Sequence, residues 1–176
     1  MTLLPTAYWG PVSYYSTMLR SDDFQIDGCQ AYERKNHVNR CRIMAANGVL
    51  TLTVPVVRPH GKVPVRDIRI DYREPWQHIH WISIISAYRT SAFFEYLMDD
   101  IKPFYDKRHE FLLDLNNEIL EWTRGLPSMA AQLPDIQGLD NPKPYYQVFG
   151  QRHGFVPNLS ILDLICNMGP EAATYL

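Results

Sequence analysis

The chain has 176 residues, of which 46% are hydrophobic and 20% are charged. This length is typical of one globular domain and lets the fold bury roughly 70% of the surface of the unfolded chain. The formal net charge of -2 argues against a general nucleic-acid-binding surface, which would need a clear excess of basic residues. No apolar stretch approaches the roughly 20 residues of a membrane-spanning helix, and the N-terminus lacks a basic-then-apolar signal pattern.

The cysteines indicate a reducing compartment. Cys29, Cys41 and Cys166 are odd in number, far apart and in no paired spacing. Such a pattern predicts reduced thiols rather than a disulfide framework. We therefore expect a cytoplasmic protein that binds neither nucleic acid nor membrane. The sequence does not indicate its oligomeric state.

The first thirty residues predict a β-α-β unit. Residues 3–8 read as a short strand, and Gly10-Pro11 then begins a helix, because proline suits the first helical position. Phe24-Gln25-Ile26 is the second candidate strand. This order of elements is the usual beginning of an α/β fold.

A β-hairpin is predicted next. Residues 40–45 pair with residues 49–54 through Asn47-Gly48, a dipeptide that tolerates the positive φ angles of a tight turn. After a loop marked by proline and glycine, residues 65–70 predict another strand.

The second half is mostly helical. Apolar residues recur at helical spacing from Trp81 to Ile101, and a further helix runs from about Lys107 to Gly125. Residues 126–144 contain four prolines and predict a loop.

The last helix is expected to begin after Pro157, with Asn158 as its N-cap, and to end at Gly169-Pro170. Together the elements predict one α/β domain over residues 1–176. It would contain a small mixed sheet with a β-hairpin, flanked by four or more helices.

Several catalytic motifs are absent from the sequence. It contains no GxGxxG, P-loop, GxSxG, HExxH, CxxC or D-x-D pattern. Dinucleotide-binding, kinase-like, α/β-hydrolase and zinc-protease functions therefore have no support. No cofactor is indicated.

His78-Ile79-His80 is the arrangement that would suggest a metal site. Two histidines at i and i+2 share a face only on a strand, and here they enter a helix with no third ligand at a clear spacing. We predict no metal site and expect His80 to pack against aromatic residues.

Arg40 and Arg42 are candidates for anion binding. They have the same parity on the predicted hairpin strand, so both side chains leave one face of the sheet. Two guanidinium groups on one face suit a phosphate or carboxylate, which each can bind through two parallel hydrogen bonds. The alternative is a plain solvated strand face.

The last predicted helix carries a polar stripe. Ser160, Asp163 and Asn167 lie at i, i+3 and i+7, on one side of an otherwise apolar helix. The stripe is either the solvated face of that helix or the wall of a polar pocket. In a pocket, Asp163 would need a cation or hydrogen-bond donors, because an unpartnered buried carboxylate costs several kcal/mol. We expect Arg40 and Arg42 to be that partner.

Aromatic residues surround the first strand-to-helix turn. Tyr8 and Trp9 lie where the first strand ends, and ligands of α/β sheets bind at the carboxyl ends of strands. An aromatic rim there would suit a sugar or a nucleobase, although core packing explains Tyr15 in the same segment equally well.

The sequence as a whole resembles the WbqC-like family of bacterial proteins, in motif blocks that follow the family order along nearly the whole chain. The blocks are Ala7-Tyr8-Trp9-Gly10-Pro11-Val12, Tyr14-Tyr15, Asn39-Arg40-Cys41-Arg42-Ile43, His80-Trp81, Ser86-Ala87-Tyr88, Ser91-Ala92-Phe93-Phe94-Glu95-Tyr96, Pro144-Tyr145-Tyr146-Gln147-Val148-Phe149 and Phe155-Val156-Pro157-Asn158-Leu159-Ser160-Ile161-Leu162-Asp163-Leu164. The opening and the Asn-Met-Gly-Pro-Glu close look most like members from Bacteroidetes-type bacteria. Family members usually carry a longer stretch where this chain has residues 126–143.

The resemblance implies a place in O-antigen, and thus surface polysaccharide, biosynthesis. Its motif blocks coincide with the sites already named and supply further candidates for substrate contacts. The substrate-binding candidates are Tyr8, Trp9, Asn39, Arg40, Arg42, His80, Tyr88 and Asn158.

The first functional hypothesis is a transferase that moves an acyl or aminoacyl group onto a nucleotide-linked amino sugar. Arg40 and Arg42 would hold phosphate, and Asp163 and Ser160 would be the catalytic residues. The second hypothesis is a non-catalytic protein that binds a metabolite or a partner. Adenylyl transfer is a third, supported only by the β-α-β opening.

Overall fold

The strands form two separate pairs rather than one mixed sheet. The structure, a computed structural model, describes residues 2–21, 23–34, 36–129 and 143–176. In the first pair, β1 (Thr2–Leu4) and β2 (Phe24–Ile26) run parallel, joined by α1 (Val12–Leu19). A parallel pair needs such a crossover connection, and the predicted β-α-β unit is confirmed. The first strand ends at Leu4, however, and not at Tyr8 as predicted.

The second pair is the predicted antiparallel hairpin, formed by β3 (Arg40–Ala45) and β4 (Gly48–Thr53). Pairing closes at Ala45 and Gly48, so the turn consists of residues 46–47 and lies one residue earlier than expected. Gly48 has a φ of 114°, which residues with a Cβ rarely adopt.

The two faces of the hairpin differ in burial. Cys41, Ile43 and Leu52 enter the core from one face. Alternate side chains of a strand leave opposite faces, so Arg40 and Arg42 share the other face, as their parity predicted.

Residues 65–70 do not form the predicted strand. Val65–Asp67 is a single 3₁₀ turn, and Ile70 makes an isolated bridge with Val56. The Asp67 N–H donates to the Pro64 carbonyl at 3.0 Å. A local turn thus satisfies backbone groups that a strand ladder would otherwise pair.

Four helices occupy residues 76–125. They are α2 (Trp76–Tyr88), α3 (Phe94–Ile101), α4 (Pro103–Asp106) and α5 (Leu112–Gly125). The sequence predicted the helical character of this region but not the break between α2 and α3, because the apolar spacing continues across it.

Two helices, α6 (Gly150–His153) and α7 (Ile161–Met168), follow in residues 143–176. The N-cap of α7 is Ser160 rather than Asn158: its Oγ accepts the Leu162 N–H at 3.2 Å.

The end of α7 at Gly169 is as predicted. The predicted loop at 126–144 begins with a 3₁₀ turn, Pro127–Met129. Its residues 130–142 lie outside the described part of the chain.

Helix α7 lies at the centre of the hydrophobic core. Every residue from Ile161 to Asn167 is buried, and α7 contacts α1, α2, α3 and β3. The stripe of Ser160, Asp163 and Asn167 is therefore not a solvated face. The described residues form a single domain of the predicted α/β class.

Candidate functional site

A pocket of about 560 Å³ opens beside the Arg40 face of the hairpin. Its walls come from three parts of the chain: the lining residues before and at the start of β3, which are Tyr32, Arg34, Asn39 and Arg40; residues 53–56 at the end of β4; and residues 71–74. The volume is within the range of small-molecule sites.

Arg40 opens β3 and lines this pocket. Its Nε is fully buried and has no hydrogen-bond partner, and within the described residues no acidic side chain pairs with its guanidinium. Arg40 thus places a cation without an acidic partner among the described residues at the pocket wall. Such a guanidinium favours an anionic group in the pocket.

Asn39 holds the backbone next to Arg40. Its side-chain Nδ2 donates to the Val54 carbonyl at 2.9 Å, and its own carbonyl accepts the Val54 N–H at 2.8 Å. These two bonds tie the start of β3 to the chain leaving β4. Asn39 is buried, so its observed role is to shape the pocket wall.

Arg34 and Tyr32 belong to the same wall as Arg40. Burial raises the pKa of the Tyr32 hydroxyl, and the charges of Arg34 and Arg40 act in the opposite direction. Both guanidinium groups therefore lie close enough to influence that hydroxyl. Two cations beside a phenol form a surface suited to an anion.

Residues 71–74 bring acidic side chains to the pocket. Nε and Nη2 of Arg73 donate to Oδ2 of Asp71 at 2.8 and 2.6 Å. These hydrogen bonds lower the pKa of the Asp71 carboxyl. The Asp71 side chain is 12% exposed and that of Arg73 is 88% exposed. Glu74 also lines the pocket, and among the described residues it has no ion-pair partner.

The hairpin and the pocket lie in a stretch of the chain that matches a known protein family. The model of the WbqC-like protein family matches residues 7–135, a stretch that includes the hairpin and every wall of the pocket. The chain belongs to the WbqC-like protein family. The resemblance carried by the motif blocks is confirmed, although the blocks between residues 144 and 164 lie beyond the matched stretch.

This WbqC-like protein is also similar to the uncharacterized protein Rv1507c of Mycobacterium tuberculosis. The two are 25% identical over 214 aligned residues, which cover 93% of this chain and 91% of the relative. The alignment is longer than the 176 residues of this chain, so the relative carries additional residues within it. No solved structure matches the chain.

Along the described residues, none of the helices combines the length and the apolar character needed to cross a membrane. The same stretches contain no group of three or more His, Cys, Asp and Glu side chains that could hold a metal ion. The three cysteines are free, with Cys29 exposed and the other two buried.

Arg42 does not join Arg40 in the pocket. Its side chain is exposed and is not part of the pocket lining. Arg42 acts on His37 instead: burial lowers the pKa of the His37 imidazole, and the charge of Arg42 adds to that lowering. The two arginines share a face of β3, but only Arg40, at the start of the strand, lines the pocket, and Arg42 is exposed to solvent.

Asp163 does not pair with either arginine, so the expected convergence of the two arginines and Asp163 around one cavity was wrong. Its carboxylate is 1% exposed and accepts hydrogen bonds from Tyr88, Tyr145 and Gln147 at 3.1, 2.7 and 2.9 Å. Burial raises the pKa of Asp163, and the three hydrogen bonds oppose that rise. The sequence correctly predicted that this buried carboxylate needs donors, but the donors are neutral.

Ser160 and Asn158 hold the N-terminus of α7 against α1. The Ser160 hydroxyl donates to the Trp9 carbonyl at 2.9 Å, and Asn158 Oδ1 accepts the Ser13 N–H at 2.9 Å. Trp9 and Asn158 both have positive φ angles, 43° and 55°. These hydrogen bonds occupy the side chains of Ser160, predicted to be catalytic, and Asn158, predicted to bind substrate. Both roles stay predictions.

Tyr8 and Trp9 lie in the core rather than on an exposed aromatic rim. Trp9 Nε1 donates a 2.9 Å hydrogen bond to the Tyr105 hydroxyl. The Tyr8 hydroxyl lies 2.8 Å from the Tyr105 hydroxyl and 2.8 Å from Nδ1 of His80. His80 also packs edge-on against Trp76. The expectation that His80 packs against aromatic residues is met, and no ligand can reach these rings without opening the core.

The structure therefore brings Asn39 and Arg40 to the pocket and leaves the other candidates elsewhere. Sequence reasoning missed Tyr32, Arg34 and Glu74, which line the pocket but lie outside every motif block. It also missed Tyr145 and Gln147 as donors to Asp163, because they lie in a segment without regular secondary structure, where spacing does not predict side-chain direction.

Proposed function

We propose that this WbqC-like protein binds a small ligand that carries a phosphate or carboxylate group, with Arg40 and Arg34 as the anion-binding residues. The supporting observation is that Arg40 lines a 560 Å³ pocket and has no counter-ion among the described residues. Guanidinium groups bind phosphate and carboxylate through two parallel hydrogen bonds. A bound anion would therefore supply the counter-charge for Arg40.

Within this proposal the ligand is a nucleotide-linked amino sugar, and the reaction is transfer of an acyl or aminoacyl group onto it during surface polysaccharide (O-antigen) biosynthesis in the cytoplasm. The family resemblance is the support for this finer assignment. A phosphate of the nucleotide would lie against Arg40, and the pocket volume leaves room for a sugar beside it.

A non-catalytic metabolite- or partner-binding protein is the second candidate function. The position of Asp163 and Ser160 favours it, because neither residue lines the pocket and both are buried. Catalysis would require a positioned proton acceptor at the ligand. Incubation with an acyl donor and a nucleotide-linked amino sugar separates the two functions: a transferase moves the acyl group onto the amine of the sugar and releases the leaving group of the donor, whereas a binding protein shows saturable binding without turnover.

Arg40→Ala and Arg42→Ala form a matched pair for testing anion binding. Both remove an arginine from the same face of β3, but only Arg40 lines the pocket. Calorimetric titration with UDP-N-acetylglucosamine should show binding weakened about tenfold or more in Arg40→Ala and little change in Arg42→Ala. Thermal unfolding should show that both variants fold. Equal effects of the two substitutions, or a wild-type protein that binds no phosphorylated ligand, would contradict the proposal.

A further inference from the structure

The walls of the pocket differ in the sign of their charge. The lining residues before and at the start of β3 include two arginines, Arg34 and Arg40. The wall of residues 71–74 carries one arginine and two acids, Asp71 and Glu74, so its net charge is negative. A ligand in this pocket faces positive charge on one side and negative charge on another.

The two acids of the second wall are not equivalent. Both oxygens of Asp71 already accept hydrogen bonds from Arg73, and Oδ1 also accepts the Arg73 backbone N–H at 3.0 Å. Glu74 makes no such bond with any of the described residues. It is nevertheless close to this pair: Asp71 raises the pKa of Arg73 mainly by hydrogen bonding, and the charge of Glu74 adds to that rise.

We infer that Glu74 is a specificity residue that favours ligands carrying a protonated amine in addition to their anionic group. The inference rests on the proposed binding of an anion at Arg40. A ligand with anionic groups alone is attracted by Arg34 and Arg40 but repelled by Glu74. A ligand that carries a protonated amine as well as an anionic group is attracted by both walls. Glu74 would thus discriminate between ligands by repulsion as well as by attraction.

The effect should be modest, because Glu74 is exposed and water and salt screen its charge. We expect the wild-type protein to bind glucosamine 6-phosphate about threefold more tightly than glucose 6-phosphate. These two probes differ by one amine in place of one hydroxyl. Their difference in affinity reports on the amine while the phosphate stays constant.

Calorimetric titration of both probes against wild type, Glu74→Gln and Glu95→Gln tests the inference. Glu95 is an exposed acid on α3 outside the pocket, so Glu95→Gln makes the same change in net charge. Glu74→Gln should bind glucosamine 6-phosphate more weakly and glucose 6-phosphate more tightly, and so lose the preference. Glu95→Gln should keep the preference.

Two results would overturn the assignment of Glu74 while leaving the anion site in place. One is equal binding of the two probes by the wild-type protein, and the other is a preference that survives Glu74→Gln. Failure of wild type to bind either probe would instead contradict the anion site itself, and the inference with it. Loss of binding of both probes in Arg40→Ala identifies the site that is being measured.

Discussion

The hydroxyl of Tyr145 donates a 2.7 Å hydrogen bond to Oδ2 of Asp163 inside the core. Tyr88 of α2 donates to the other carboxylate oxygen at 3.1 Å, and Gln147 donates to Oδ2 at 2.9 Å. One carboxylate on α7 therefore joins α2 to the segment that contains Tyr145 and Gln147. Burial raises the pKa of both tyrosines, so they remain neutral donors.

Tyr145→Phe should destabilise the fold. The substitution removes one donor from a buried carboxylate, and losing a hydrogen bond to a charged buried group costs about 1–3 kcal/mol. We expect the free energy of unfolding, measured by urea denaturation, to fall by that amount.

The adjacent Tyr146 provides the control for this prediction. It is 61% exposed, and among the described residues its hydroxyl has no partner. Tyr146→Phe should change the free energy of unfolding by less than about 0.5 kcal/mol. If both substitutions cost the same, the bond to Asp163 contributes nothing specific to stability.

The Asp163 cluster shows what local sequence patterns can predict. Helical spacing placed Ser160, Asp163 and Asn167 on one stripe of a mostly apolar helix, and elementary electrostatics required donors for the carboxylate. The identity of those donors depends on packing: Tyr88 lies 75 residues from Asp163 along the chain. Spacing within one element carries no information about contacts at that distance.

For the pocket, too, the sequence predicted one part and missed another. Strand parity correctly placed Arg40 and Arg42 on one face of the hairpin. Whether each arginine faces a pocket depends on residues 71–74, which reach the hairpin through the isolated bridge between Val56 and Ile70. Because residues 65–70 form a 3₁₀ turn and a bridge instead of the expected strand, sequence patterns could not predict this approach.

His80 should make stability depend on pH. Burial lowers the pKa of its imidazole to about 4, although a hydrogen bond with the Thr53 backbone opposes the shift. In the unfolded chain the pKa returns to roughly 6.5. Between these values the unfolded chain binds a proton that the folded chain does not, so the free energy of unfolding decreases as the pH falls.

His80→Gln isolates this contribution, because glutamine does not titrate while the other acids and histidines remain. Between pH 7 and pH 4.5 the wild type should lose roughly 2 kcal/mol more stability than the variant. Urea denaturation at the two pH values measures the difference. If the wild type and the variant lose the same free energy of unfolding between the two pH values, His80 is readily protonated in the folded state.

Ser160→Ala should destabilise the junction between α1 and α7. The hydroxyl caps α7 by accepting the Leu162 N–H and donates to the Trp9 carbonyl. Loss of a serine N-cap costs about 0.5–2 kcal/mol, and the Trp9 carbonyl also loses a partner, so the expected cost is about 2 kcal/mol. Ser86→Ala on the exposed face of α2 is the control and should be close to neutral. If the stability of Ser160→Ala is unchanged, the two hydrogen bonds of the Ser160 hydroxyl contribute nothing to the stability of the fold.

Gly169 ends α7 with a φ of 50°, in the region that favours glycine. A Cβ at this position would come within 2.5 Å of the ring of Phe93. The backbone of Phe93 is held by the hydrogen bond from its N–H to the Cys166 carbonyl at 3.0 Å, so only a rotation of the ring relieves the contact. Gly169→Ala therefore combines backbone strain with a steric clash.

We expect Gly169→Ala to lower the free energy of unfolding by about 3 kcal/mol, the sum of a strained backbone and an overpacked contact. Gly125→Ala is the control: nothing lies within 4 Å of its Cβ position, and alanine should be neutral or slightly stabilising at the end of α5. In a Phe93→Ala background the clash is absent, so Gly169→Ala should cost only the backbone strain. An equal cost in both backgrounds would show that the Phe93 ring moves aside freely. The strain of the positive φ would then account for the whole effect.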